Sequence, residues 1–160
     1  MKNIIIYLPF TIVYLSLKSA ILPTAPLPDI TLLITFYIAY EKGGTSGVII
    51  SFLLGYVEDV FNGGIIGISS FSLVFIFAIV SMLKHKIEVT SVRVKIISTL
   101  MLSIVKTLIT IIILHFKGIE SSFLQFLPLI IITAAAASKF FSLFRWINRR
   151  TFSYAERKGV

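Results

Sequence analysis

The sequence contains no cysteine, only two histidines and few charged side chains. Charged residues make up 14% of its 160 residues, well below the roughly 25% that is usual in soluble domains. Without cysteine, disulfides and thiolate chemistry are excluded. His85 and His115 lie too far apart to show a metal-ligand spacing. The sequence therefore indicates no metal site and no cofactor.

Enzyme motifs are absent as well. The chain has no phosphate-binding loop, no zinc-protease HExxH, no GxSxG elbow and no dinucleotide fingerprint. These motifs place nucleophiles, metal ligands or phosphate-binding amides at fixed spacings, and nothing replaces them here. We predict that the protein is not an enzyme.

Hydrophobic residues dominate what is present. They make up 57% of the chain, against roughly 45–50% in soluble domains, and the mean hydropathy is +0.99. A soluble core of this size cannot bury so much apolar surface, so we predict an integral membrane protein. The net charge of +8 could indicate nucleic acid, but the basic residues flank apolar runs, which is typical of membrane topology. We therefore predict no nucleic-acid partner.

The apolar runs predict a single all-α domain, a transmembrane bundle of six helices. The spans are expected at about 3–22, 27–40, 46–57, 65–83, 96–116 and 123–144, followed by a basic tail at 145–160. The second and third are short for a full crossing. Lysines and arginines fall mainly on one side of these spans: at Lys2, Lys42, the 84–95 loop and the tail. This bias predicts that both termini are cytoplasmic.

A ridge of small residues lies at the centre of the sequence. Gly43, Gly47, Ser51 and Gly55 recur at every fourth position, and Asp59 continues the row. On a helix this spacing aligns small side chains on one face, where a second helix can approach closely. The ridge therefore predicts tight helix packing around the third span.

Acidic side chains lie at the end of the ridge and at the start of the second span. Glu58 and Asp59 are adjacent, so on a helix they point about 100° apart and do not form a general acid/base pair. We expect Asp59 to face inward, Glu58 to be more exposed, and the two to bind a partner or cap a neighbouring helix. Pro28 and Asp29 are suited to begin the second helix.

Lys106 lies near the middle of the fifth span. A lysine at that depth costs at least about 2.5–3.5 kcal/mol on insertion scales, so it should face protein or water and have a partner. Two interpretations remain: a ligand or proton site, which could include an acid, or a structural lysine that snorkels to the interface or pairs with a backbone carbonyl. A structural lysine is expected to tolerate Lys106→Met.

Several of these residues together resemble the rod shape-determining MreD family of bacteria. The resemblance rests on Pro28-Asp29 at the start of a short apolar helix and on the stretch GYVEDVFNGGIIG from Gly55 to Gly67, with Asp59 within it. Chain length, span count and the basic tail also fit. The resemblance assigns these positions a structural or partner-binding role and transfers no catalytic residue.

The resemblance implies a non-enzymatic scaffold in the bacterial inner membrane. MreC is the first expected partner, with MreB, RodA and a class B penicillin-binding protein in the same complex for wall elongation. The family's fold is also similar to the substrate-binding subunits of energy-coupling-factor vitamin transporters, which leaves a small-molecule-binding transporter subunit as the alternative. Anionic lipids are a further expected contact of the basic loop and tail.

Overall fold

The computed structural model of the chain describes residues 2–21, 27–41, 43–63, 65–84 and 91–157. Its elements are all helical, which confirms the predicted all-α class and the six helices. They are α1 (Lys2–Ile21), α2 (Ile30–Glu41), α3 (Thr45–Asn62), α4 (Ile68–Leu83), α5 (Val92–Phe116) and α6 (Leu127–Arg157), with a 3-10 turn at Phe123–Phe126 before α6.

The short helix α2 is the centre of the bundle. Every residue from Ile30 to Ala39 is buried, and α2 contacts each of the other five helices. A helix that is apolar on all sides is stable only when it is surrounded. At 12 residues and 1.5 Å per residue it is about 18 Å long, short of a ~30 Å hydrocarbon core. The N-terminal end of α2 therefore lies inside the bundle.

Aromatic side chains fill the core around the C-terminal half of α2. Tyr37 packs against Phe141 and Phe144 of α6, with ring centroids 5.8 and 5.6 Å apart. Tyr7 of α1 meets Phe144 edge-on at 5.9 Å. The Tyr37–Phe141 and Tyr7–Phe144 pairs are edge-to-face, a favoured aromatic geometry. Together the three pairs join α1 and α2 to α6.

The helices differ from the expected spans mainly at α3. The sequence predicts a short span at 46–57, whereas α3 continues to Asn62 and ends at Gly63, whose φ of 63° is left-handed. Glu58 and Asp59, which lie beyond the predicted span, are therefore within the helix. At the C-terminal end, α6 continues to Arg157, through most of the predicted tail. Lys42, residues 85–90 and residues 158–160 lie outside the described residues.

Two helical stretches are long and apolar enough to cross a membrane, among the residues that the structure describes. They are Val92–Phe116 and Phe123–Arg145. The helices Ile30–Glu41 and Ile68–Leu83 are apolar but shorter. The expectation of six spans stays a prediction.

Candidate functional site

Asp29 lies at the N-terminal end of α2, where its carboxylate caps the helix. Its Oδ1 accepts a hydrogen bond from the backbone N–H of Leu32 at 3.0 Å and lies 2.6 Å from Thr31 Oγ1. Its own N–H donates to Thr133 Oγ1 of α6 at 2.9 Å. Aspartate is a favoured N-cap residue, and the helix dipole stabilises its negative charge. The preceding residue is held as well, because Tyr14 of α1 donates to the carbonyl of Pro28 at 2.8 Å.

Lys106 of α5 joins Asp29 to Glu58 of α3. Its Nζ lies 2.5 Å from Asp29 Oδ2 and 2.8 Å from Glu58 Oε1, and it also donates to Glu58 Oε2 at 2.9 Å. The three side chains are only 10–12% exposed. We call Asp29, Glu58 and Lys106 the ion cluster. It gives the intramembrane lysine predicted from the sequence two acidic partners.

The ion cluster borders a polar cavity of about 160 Å³. The cavity lies among α1, α3, α4, α5 and α6, and its wall includes hydroxyl and amide side chains as well as a second lysine. Besides the ion cluster, its polar lining residues are Lys18, Asn62, Ser69, Ser103, Thr107, Thr110 and Thr133. No local sequence pattern relates the three charged side chains, yet the structure brings Asp29, the N-cap of α2, together with Glu58 of α3 and Lys106 of α5.

Asp59 points away from the ion cluster and caps α4. Its Oδ2 accepts from the N–H of Gly67 at 2.7 Å, and its Oδ1 accepts from the N–H of Ser69 at 3.0 Å. The residue is 5% exposed. Glu58 is partly exposed as a residue, but its carboxylate lies inside the bundle. The two neighbouring acids thus serve different helices, and they do not converge.

Replacing Asp59 by alanine should destabilise the start of α4. Removing the side chain that caps the free N–H groups of a helix N-terminus typically lowers protein stability by about 1–2 kcal/mol. We expect Asp59→Ala to lower the melting temperature of the purified protein by a few degrees, and Asp59→Asn, which keeps one acceptor oxygen, to lower it less. Glu120→Ala in the exposed turn after α5 is the control. Equal melting temperatures for Asp59→Ala and the control would contradict the capping role.

The small-residue ridge of α3 lies against α4 and α2. A Cβ at Gly55 would lie 2.6 Å from the carbonyl carbon of Ser69 and closer still to the amide nitrogen of Ser70. A Cβ at Gly47 would lie 2.5 Å from Cζ of the Phe77 ring. Backbone meets backbone at Gly55, whereas a side chain fills the space at Gly47. The α3–α4 crossing is therefore closest at Gly55.

The other two glycines of the predicted set have a conformational role. Gly43 has a φ of 61°, and a Cβ there would lie 2.7 Å from Lys84 Nζ. Gly67 has a φ of 107° with open space around it, and its N–H binds Asp59. Both angles are in the left-handed region that side chains disfavour.

Comparison with known proteins adds the family. A family model for rod shape-determining protein MreD matches residues 3–150 of the chain. The chain belongs to the MreD family. No curated protein and no solved structure matches it, so the predicted similarity to transporter subunits stays a prediction. The match includes the whole ion cluster and the α3–α4 crossing of this MreD-family chain.

Sequence reasoning missed the hydroxyl groups around the ion cluster. Thr31 contacts both acids, and Thr133 binds the backbone of Asp29. One signal was available: Thr99, Ser103 and Lys106 recur at helical spacing on one face of α5. All three are buried. A polar stripe through an otherwise apolar span predicts a face directed at protein or water rather than lipid.

Proposed function

We propose that this chain is a non-enzymatic scaffold of rod-shape determination that spans the cytoplasmic membrane with all six helices. The observation that carries the proposal is the MreD family match over residues 3–150. Family membership supports a role in shape determination, and the scaffold role is our extension of it.

The apolar exterior of the bundle supports the membrane part of the proposal. In each of the two long apolar helices, only 28% of the most apolar 18-residue segment is buried inside the bundle. Large side chains such as Phe71, Met101 and Ile131 are each about 60% exposed. Soluble monomers rarely expose contiguous apolar surface of this extent. Lipid is the environment in which such a surface is stable.

Basic side chains at one end of the bundle support cytoplasmic termini. Arg145 of α6 lies 3.7 Å from Glu41 at the end of α2, and Lys84 lies beside Gly43. Lys95, at the start of α5, places its Nζ 6.0 Å from the centre of the Phe141 ring. By the positive-inside rule this end faces the cytoplasm. The turn after α5, with Lys117 and Glu120, then lies on the outer side.

We further propose that MreC is the first partner, and that MreB, RodA and a class B penicillin-binding protein join the same complex. The support is the family's role in shape determination, together with a bundle in which the buried Lys106 is paired with two acids. A rigid bundle with an apolar exterior can offer surfaces to helices of other membrane proteins, and its basic end can contact cytoplasmic partners and anionic lipid.

The test is recovery of partners from the native membrane. The tagged protein is extracted in mild detergent, and the co-purifying proteins are identified by mass spectrometry. Enrichment of MreC, RodA or the penicillin-binding protein over an unrelated multi-span membrane protein with the same tag is the expected result. Recovery of none of them at normal expression of the bait would contradict the scaffold proposal.

The polar cavity favours a second candidate function, a small-molecule-binding subunit of a transporter. The cavity of about 160 Å³ is smaller than the roughly 300–1,000 Å³ typical of ligand pockets, so its ion-paired lining would suit only a very small polar ligand. In that case the same pull-down would recover ATPase subunits and a transmembrane coupling protein in place of the wall-synthesis proteins. We favour the scaffold because the family match names shape determination.

A further inference from the structure

The contacts of Thr31 indicate that one of the two carboxyl groups in the ion cluster is protonated. Thr31 Oγ1 lies 2.6 Å from Asp29 Oδ1 and 2.5 Å from Glu58 Oε2. Both distances are those of O–H···O hydrogen bonds. A hydroxyl has one hydrogen, so Thr31 can donate to only one of the two carboxyl groups. The other contact requires a hydrogen that the carboxyl group itself supplies.

The two acids differ in how well they can carry a negative charge. Asp29 accepts hydrogen bonds from Leu32 N–H and Lys106 Nζ, and it lies at the positive end of the α2 dipole. Glu58 lies in the last turns of α3, toward the negative end of that dipole. Its contacts with Lys106, at 2.8 and 2.9 Å, are longer than the 2.5 Å contact of Asp29. The charge is therefore more stable on Asp29.

We propose that Glu58 is a buried proton-binding site. It is protonated in the folded protein, and its carboxyl O–H donates a hydrogen bond to Thr31 Oγ1. Thr31 in turn donates to the Asp29 carboxylate. The ion cluster then carries one positive and one negative charge and is neutral as a whole. Neutrality removes the desolvation cost of an unpaired buried charge.

The polar cavity gives this proton a route to water. Ser103 Oγ is buried and has no hydrogen-bond partner within the described part of the chain, and Ser103 lines the same cavity as the ion cluster. A polar cavity of about 160 Å³ has room for water, which would satisfy this hydroxyl. Asn62 at the end of α3 is also in the lining, so the cavity extends toward the surface there.

Few other charges face Glu58. Lys18 of α1 lines the cavity without forming an ion pair with either acid of the ion cluster. Asp59, on the same helix, is bound to the amides at the start of α4. The lining residues contributed by α4 and α6 are uncharged. The protonation of Glu58 is thus governed mainly by Asp29 and Lys106.

A pair of amide substitutions distinguishes a protonated from an ionised Glu58. The amide of Glu58→Gln can donate to Thr31 as the acid does, so we expect the melting temperature in lipid nanodiscs at neutral pH to change by no more than about 2 °C. Asp29→Asn keeps an N-cap residue but leaves Lys106 without its counter-charge. We expect it to lower the melting temperature by about 10 °C or to prevent accumulation of folded protein. Glu120→Gln is the control for purification and reconstitution.

If both acids were ionised, Glu58→Gln and Asp29→Asn would each remove one anion from Lys106, and the two variants would lose similar stability. Equal losses for the two variants, or a larger loss for Glu58→Gln, would overturn the proposal. Infrared spectroscopy of the unaltered protein gives a second, independent readout. We expect the carbonyl band of a protonated carboxylic acid at neutral pH, absent from Glu58→Gln and retained in Glu120→Gln. No such band, or one that persists in Glu58→Gln, would also overturn it. Neither readout depends on the scaffold function.

Discussion

Gly55→Leu should prevent α3 from packing on α4. Even one added methyl group would lie 2.6 Å from the Ser69 carbonyl carbon, and a backbone atom cannot move aside as a flexible side chain can. Overpacking a well-packed interior costs typically about 1–3 kcal/mol, and a clash with backbone lies at or beyond the upper end. We expect loss of folded protein from the membrane and, under the scaffold proposal, loss of rod shape in cells that rely on this copy.

The matched control for Gly55→Leu is Val60→Leu. Val60 is on the same helix and is 51% exposed, so a larger side chain there should be accommodated without loss of stability. Gly47→Leu should give an intermediate effect, because its obstacle is the ring of Phe77, which can rotate. Membrane abundance, the melting temperature in detergent and cell shape are measured for all three variants. Normal stability of Gly55→Leu would mean that the α3–α4 crossing is not as close as described.

Lys106→Met should strongly destabilise the folded protein, as Asp29→Asn should. It leaves Asp29 charged and without a cation at its Oδ2, and removing one partner of a buried ion pair typically costs about 3–5 kcal/mol. The sequence alone predicts that a structural lysine tolerates this change. The structure reverses that expectation, because the lysine is bonded to both acids. Thermal unfolding in nanodiscs and membrane abundance measure the effect.

A double variant separates loss of charge from loss of shape. In Lys106→Met with Asp29→Asn both charges are gone, so we expect the double variant to be more stable than the sum of the single losses predicts. Lys117→Met, in the exposed turn after α5, is the control for removing a lysine. Strict additivity of the two losses would show that Lys106 and Asp29 do not interact in the membrane.

The polar contacts around α2 show which contacts a local sequence pattern predicts and which it does not. The Pro28-Asp29 pair indicates a helix start, and Asp29 does cap α2. The same residue also binds Lys106, 77 positions away, and no local pattern relates the two. Thr31, one of two threonines in the largely apolar α2, has no distinguishing pattern, although it contacts both acids. Local chemistry identifies caps, whereas partners across the bundle depend on where helices cross.

The sequence by itself determined the helical class, the apolar exterior and the small-residue ridge of α3. These depend on composition and on a spacing of four residues, which fix which side chains share one helix face. The stretch from Gly55 to Gly67 indicates the family, and the match over residues 3–150 shows it. The need of Lys106 for a partner also follows from the sequence, because an apolar span cannot leave a charge unpaired.

Only the tertiary structure decided that Glu58 is directed into the bundle and that α2 begins at the ion cluster. Glu58 and Asp59 are adjacent, yet one binds Lys106 and the other binds the amides of Gly67 and Ser69. Their directions depend on the rotation of α3 about its axis and on its crossing with α4 at Gly55. Those quantities result from packing many side chains at once, so they are set by the bundle as a whole rather than by any one stretch of sequence.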